Sequence, residues 1–175
     1  NGTLSVTGAA TIGTTLGVTG NTTLSGTLSV AGISDFTGSI AAKKGTDFST
    51  TGTSNNVNFG DVSLVRLTGA SAQTITGVTG GRDGEILTIV NAGGTAATLS
   101  NLSGSSSASN QITTGTGANV TLASGSSVTL IYDATASLWR VIGDVSGGSG
   151  SGVTTVGAID SQTKSANGAV ITGGS

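Results

Sequence analysis

Leu4, Leu16 and Leu28 stand twelve residues apart, and so do Val6, Val18 and Val30, and Gly8, Gly20 and Gly32. Ile12, Leu24, Phe36 and Phe48 continue a fourth column at the same spacing. A fixed period is an architectural signature and takes precedence over local propensity. Within each repeat Leu and Val are two apart, so they share one side of an extended strand. A Gly follows, where the chain can turn. Each unit offers only three apolar side chains per twelve residues. An isolated hairpin of that content is marginal in water, so the apolar edge must find partners. Two arrangements supply them: an intertwined trimeric shaft with a shared core, or a single-chain solenoid of twelve residues per turn. A coil that narrow needs staples such as disulfides, and the chain has no Cys; this favours the trimer. An ice-binding surface is set aside because no Thr-x-Thr ladder recurs at the repeat spacing.

The repeat decays between residues 39 and 58, where Ala42, Lys44 and Gly52 replace the Val, Gly and Leu columns. Lys43-Lys44 reads as a solvated turn, with an anionic contact as the alternative. Residues 55–60 read as a neck.

From residue 61 the texture changes to short period-two apolar segments separated by turn clusters. Strands are expected at 62–67, 73–76, 85–90, 97–101, 119–122, 127–132 and 138–142. Seven short strands at this spacing indicate an antiparallel β-sandwich or barrel. Gly93-Gly94 is expected to close a tight hairpin between the third and fourth of them. Residues 85–90 and 127–132 are apolar on both faces, which suggests that the second face meets another subunit. The organisation expected is therefore a shaft and neck over 1–59, a β-sandwich head over 60–144, and a Gly/Ser linker with a truncated or disordered tail over 145–175. With no initiating Met, the chain reads as a piece of something longer.

Composition narrows the function. Charged residues are 8% of the chain and the net charge is −2. Regular Val, Ile and Leu with so little charge argue for a folded chain, since disordered chains combine high charge with few apolar residues. The scattered Lys and Arg make no basic stripe for nucleic acid, and no apolar run reaches membrane-spanning length. There is no His and no Cys, which removes the commonest general base and the thiol nucleophile. Asp83 and Glu85 lie two apart and could act as a glycosidase pair or join a calcium site; the plainer reading is that they flank a turn with Arg82. Residues 80–84 lack the Gly-Lys-Ser/Thr ending of a phosphate loop. Trp139 and Tyr132 could form a sugar-stacking platform, but a paired core position suits them better, and the Phe column is assigned to the shaft core. No catalytic, cofactor-binding or metal-ligating residue is assigned, no cofactor is implied, and ligand-binding residues remain unknown.

The run from Gly2 through Gly32 resembles the repeats of phage tail fibres and of bacterial mosaic trimeric fibre adhesins. Residues 84–89, 128–133 and 139–143 are similar to a small β head module of the same proteins, and residues 153–173 to a junction between modules. The resemblance implies a homotrimer with an all-β shaft and head, extracellular on a virion or bacterial cell surface. It implies attachment to a host or prey surface, with the shaft as spacer and the head as a glycan- or receptor-binding tip. The alternative is a structural segment whose head is an internal trimerisation knob. Neither is an enzyme, and neither inserts in a membrane.

Overall fold

A computed structural model describes residues 6–143. The chain divides into two compact units, Asn1–Ile40 and Ala41–Ser175. The expected linker and tail, from residue 145 on, lie outside the described residues.

In the first unit every described residue is exposed and none forms a ladder strand. The backbone bends at 7–8, 13–14, 19–20, 25–26, 31–32 and 37–38, one bend every six residues. The same step joins Val6, Ile12, Val18, Leu24, Val30 and Phe36 into one column, exposed to a nearly uniform 49–61%. Two columns of the sequence reading thus merge into one with half the period.

The second unit is a two-layer β structure. Its strands are β1 (Gly52–Ser54), β2 (Leu64–Leu67), β3 (Gln73–Ile75), β4 (Ile86–Asn91), β5 (Ala97–Leu99), β6 (Ile112–Thr113), β7 (Val120–Leu122), β8 (Ser127–Asp133) and β9 (Leu138–Ile142). One sheet has the order β1-β3-β5-β7 and the other β2-β4-β8-β9-β6. Val65, Leu67, Leu87, Ile89, Leu130 and Trp139 of the larger sheet face Ile75, Ala97, Leu99, Val120 and Leu122 of the smaller, forming one buried core. The alternation of buried and half-buried residues along β4 and β8 is the period-two pattern of a half-covered sheet.

The expected purely antiparallel sandwich is corrected. β1 pairs with β3, β3 with β5, and β2 with β4 in parallel, so through β5 the chain coils like a short β-solenoid, alternating sheets. Only then does it reverse: β5–β7, β4–β8 and β8–β9 are antiparallel. The expected hairpin at Gly93-Gly94 is likewise absent, because β4 and β5 belong to different sheets. Gly93 instead caps a stack of arcs. A Cβ at Gly69 would stand 2.3 Å from the Thr50 carbonyl oxygen, and one at Gly93 would stand 2.5 Å from the Gly69 oxygen. Three successive turns therefore pack backbone on backbone, which only Gly allows. Asn91 locks the corner: its Nδ2 donates to the carbonyls of Thr95 and Leu122, and its Oδ1 accepts from Gly93 N–H.

The expected boundary at residue 59 also moves. Val57 is in the sandwich core, and Phe48 and Phe59 pack against it edge to face, centroids 5.3 Å apart. Phe48 thus belongs to the sandwich and not to the shaft column. Lys43 and Lys44 are exposed, as a solvated segment would be, but they form an extended bridge and not a turn. Lys44 bridges Leu64 in parallel register, and the Lys43 carbonyl accepts from Ser63 and Leu64 N–H. Residues expected as neck form the first turn of the coil.

Candidate functional site

Two neighbouring arcs of the sandwich carry Asp61, Arg82, Asp83 and Glu85. Val57 and Val78 form a parallel bridge, with Val57 N–H donating to the Gly77 carbonyl at 2.8 Å and Thr79 N–H to the Val57 carbonyl at 2.9 Å. Four residues beyond each partner stand Asp61 and Arg82. They occupy equivalent places in successive turns, and the Arg82 guanidinium pairs with the Asp61 carboxylate.

The second arc is held firmly. Glu85 N–H donates to the Arg82 carbonyl at 2.8 Å, and Arg82 N–H donates to Glu85 Oε2 at 3.0 Å. Gly84 N–H reaches the Tyr132 carbonyl at 3.0 Å, and Asp83 Oδ1 accepts from Ala134 N–H at 3.1 Å. Gly80 and Gly84 have φ of +81° and +74°, a region other residues avoid. Gly81 lies flat on the Tyr132 ring, where a Cβ would come within 2.1 Å of Cδ2. Asp83 and Glu85 are therefore each engaged by a different backbone amide, and both build the arc.

Two open depressions flank Arg82. The smaller, about 290 Å³, is lined by Asn58, Gly60, Asp61, Thr79, Gly80, Arg82 and Glu85. The larger, about 590 Å³, shares Asp61, Arg82 and Glu85 with it and is otherwise lined by Lys43, Val62, Ser63, Asp83, Gly84 and Ile86. Arg and carboxylate side chains fixed on rigid arcs can exchange hydrogen bonds with ligand hydroxyls. Among the described residues no three carboxylates converge as metal ligands, and no helix is long and apolar enough to cross a membrane.

Trp139 and Tyr132 lie in the core, ring centroids 5.3 Å apart. Trp139 Nε1 donates to the Val78 carbonyl and the Tyr132 hydroxyl to the Ser109 carbonyl. They support the arcs from below and offer no stacking surface. The Asp61–Arg82 pairing was not visible in the sequence, since nothing there marks residues 21 apart as neighbours; the parallel coil makes them so.

The family model of the phage depolymerase C-terminal β-sandwich domain matches residues 46–140, more than half of the 175-residue chain. The chain belongs to this family. No match was found among curated proteins or solved structures. The match begins before the expected head boundary and takes in the first turn of the coil. A phage depolymerase C-terminal sandwich implies a virion-associated, extracellular protein of tail-fibre type with a host-attachment role.

Proposed function

We propose that this chain is a segment of a homotrimeric tail-fibre-type attachment protein. Its repeat winds three copies into a spacer, and its sandwich is displayed toward a host or prey surface. The observation that carries this reading is the six-residue column from Val6 to Phe36, about half-exposed at every step in a single chain. Fully burying one such side chain is worth roughly 1.5–3 kcal/mol, so a regular column gives a strong and repetitive drive to associate. A column this regular suits copies arranged about one axis, each repeat donating the same side chain to a shared core. The arcs around Arg82 are the candidate glycan or receptor contact, because they present charged side chains on a pinned backbone. The sandwich acts by binding and not by catalysis, since Asp83 and Glu85 are both engaged in holding the arc.

The structural-knob reading has its own support. Arg82 is already satisfied by Asp61 and Glu85, as a purely structural ion pair would be. Light scattering of the full chain tests the trimer: three times 16.6 kDa is expected, and a monomer would sink it. Glycan-array binding by the assembled chain, lost in Arg82→Ala, separates the attachment reading from the knob; a folded trimer that retains no glycan favours the knob.

A further inference from the structure

The two arcs that carry Asp61 and Arg82 are tied at their roots to one short segment. Ala108–Asn110 is a single 3-10 turn between β5 and β6, and Asn110 bonds the root of each arc. Its Nδ2 donates to Asn56 Oδ1 at 2.8 Å, two residues before Asn58 of the smaller depression. Its carbonyl accepts from Val78 N–H at 2.8 Å, immediately before Thr79 of the same depression. The direction of the side-chain bond follows from the main chain. Ser107 N–H donates to Asn56 Oδ1 at 2.8 Å, which makes that atom the acceptor and leaves the Asn110 amide nitrogen to face it. Ser106 repeats the pattern one step back: its Oγ takes Asn56 N–H at 2.9 Å and meets Thr76 Oγ1 at 2.7 Å. Asn56 has φ +47°, a left-handed conformation that Asn tolerates better than most residues, and its three bonds to residues 106–110 hold it there. Gly77 gives Asn110 room to approach, since a Cβ at Gly77 would stand 2.5 Å from the Asn110 carbonyl oxygen.

We infer that Asn110 is the positioning residue of the Arg82 site: its side chain and carbonyl together set the separation of the two arcs and so bring Asp61 opposite Arg82. The inference rests on the reading of that site as a glycan or receptor contact only for its bearing on binding. Among the described residues, main-chain bonds between the arcs stop at Thr79 N–H to the Val57 carbonyl. Beyond that point Asp61 and Arg82 are joined through their side chains, both more than half exposed. An exposed ion pair contributes too little to align two loops by itself, so the alignment comes from the roots. Asn110 alone bonds both Asn56 and Val78 by hydrogen bonds, and the Val78 carbonyl is held in turn by Trp139 Nε1. The neighbouring Ser109 carbonyl accepts from the Tyr132 hydroxyl, whose ring carries Gly81 of the second arc.

Asn110→Ala removes the side-chain bond and leaves no orphaned acceptor, because Asn56 Oδ1 keeps the bond from Ser107 N–H. Gln111→Ala is the control: it removes the bonds from Gln111 Nε2 to the Ser103 and Ser106 carbonyls in the same segment and touches neither Asn56 nor Val78. Hydrogen–deuterium exchange of the full chain is followed by mass spectrometry in peptides covering residues 56–61 and 78–85, with β4 and β8 as reference. Exchange in the two arcs is expected to rise roughly two- to tenfold in Asn110→Ala, the range for losing one hydrogen bond. It should stay at the wild-type rate in Gln111→Ala, and in β4 and β8 of both variants. On a glycan array the Asn110→Ala signal should fall toward that of Arg82→Ala, although Arg82 is intact. Unchanged exchange in the arcs would overturn the inference whatever the array shows. So would equal loosening by Gln111→Ala, or faster exchange throughout β4 and β8, since Asn110 would then support the segment or the sandwich at large. Looser arcs with full glycan retention would overturn it as well, and would leave Arg82→Ala to decide the attachment reading. If the wild type retains no glycan, the attachment reading falls, and exchange alone decides whether Asn110 sets the arcs.

Discussion

Asp133 accepts a hydrogen bond from Arg140 Nε at 2.6 Å and another from Ala136 N–H, and these hold its carboxyl below the usual value near 3.8. Asp47 is lowered in the same way, first by its hydrogen bond from Lys44 and then by the charge of Arg66. A carboxylate with a depressed folded-state pKa stabilises the fold fully above its unfolded value, and the contribution is lost as pH falls through the folded value. The sandwich should therefore lose thermal stability as pH drops below about 4. The Asp47→Asn/Asp133→Asn variant should melt lower at neutral pH and respond less steeply to acid. Both pairs are partly solvated, so added salt should narrow the difference. Melting curves across pH and salt check this; an equal acid slope in the two proteins would contradict it. Gly81 gives a prediction of larger size. Its Cβ position is occupied by the Tyr132 ring, which Trp139 and the bond to the Ser109 carbonyl prevent from moving aside. Gly81→Ala should cost roughly 1–3 kcal/mol by denaturant unfolding, the range for overpacking. Gly94→Ala, with open space around it and no positive φ, should be neutral or gain up to about 1 kcal/mol.

At the scale of elements, the strands that were legible are those with apolar residues at alternating positions. All seven expected segments overlap a strand, and β9 coincides end to end. β1 and β6 were missed for physical reasons. Gly52-Thr53-Ser54 carries no apolar residue, and β6 is two residues long, so neither shows a period. Pairing direction was not legible because alternation is the same in parallel and antiparallel ladders. The evidence for a coil lay in Thr50, Gly69 and Gly93, spaced 19 and 24 residues apart, too uneven to read as a repeat without the stacking contacts. The arc around Arg82 was read correctly as a turn flanked by carboxylates, but its ion-pair partner Asp61 lies one coil turn earlier and was invisible. The same coil predicts where the folding unit begins. A fragment of residues 41–143 should unfold in one cooperative transition. A fragment of residues 60–143 lacks β1, Val57, Phe48 and Phe59, and so uncovers the edges of β2 and β3 and part of the core. It should be aggregated or partly unfolded, as exposed edges and apolar faces predict. A well-dispersed amide NMR spectrum from the shorter fragment would restore the boundary at 59.

At the scale of the whole molecule, the two units answer different physical demands. The sandwich buries a core within one chain; the repeat cannot, because its described residues all remain exposed. On the trimeric reading, the repeat is the part whose order would depend on other copies. It also contains an internal comparison. Leu24 lies on the six-residue column and is 55% exposed, whereas Ile33 lies off it and is 99% exposed. Both are aliphatic and both are in the same unit, so a change to Asp alters charge and hydropathy alike at each. If copies meet along the column, Leu24→Asp places a charge in their shared core. An unpaired buried charge is costly enough to be avoided by rearrangement or dissociation. In light scattering, Leu24→Asp should shift the chain toward lower mass or require higher concentration to assemble, while Ile33→Asp should leave mass and concentration dependence unchanged. The sandwich should keep its own melting transition in both, because its core contains neither residue. Equal weakening by the two substitutions would mean that association follows overall apolarity and not the column. Weakening by Ile33→Asp alone would place the contact on the opposite side of the repeat, and with it the axis about which copies wind.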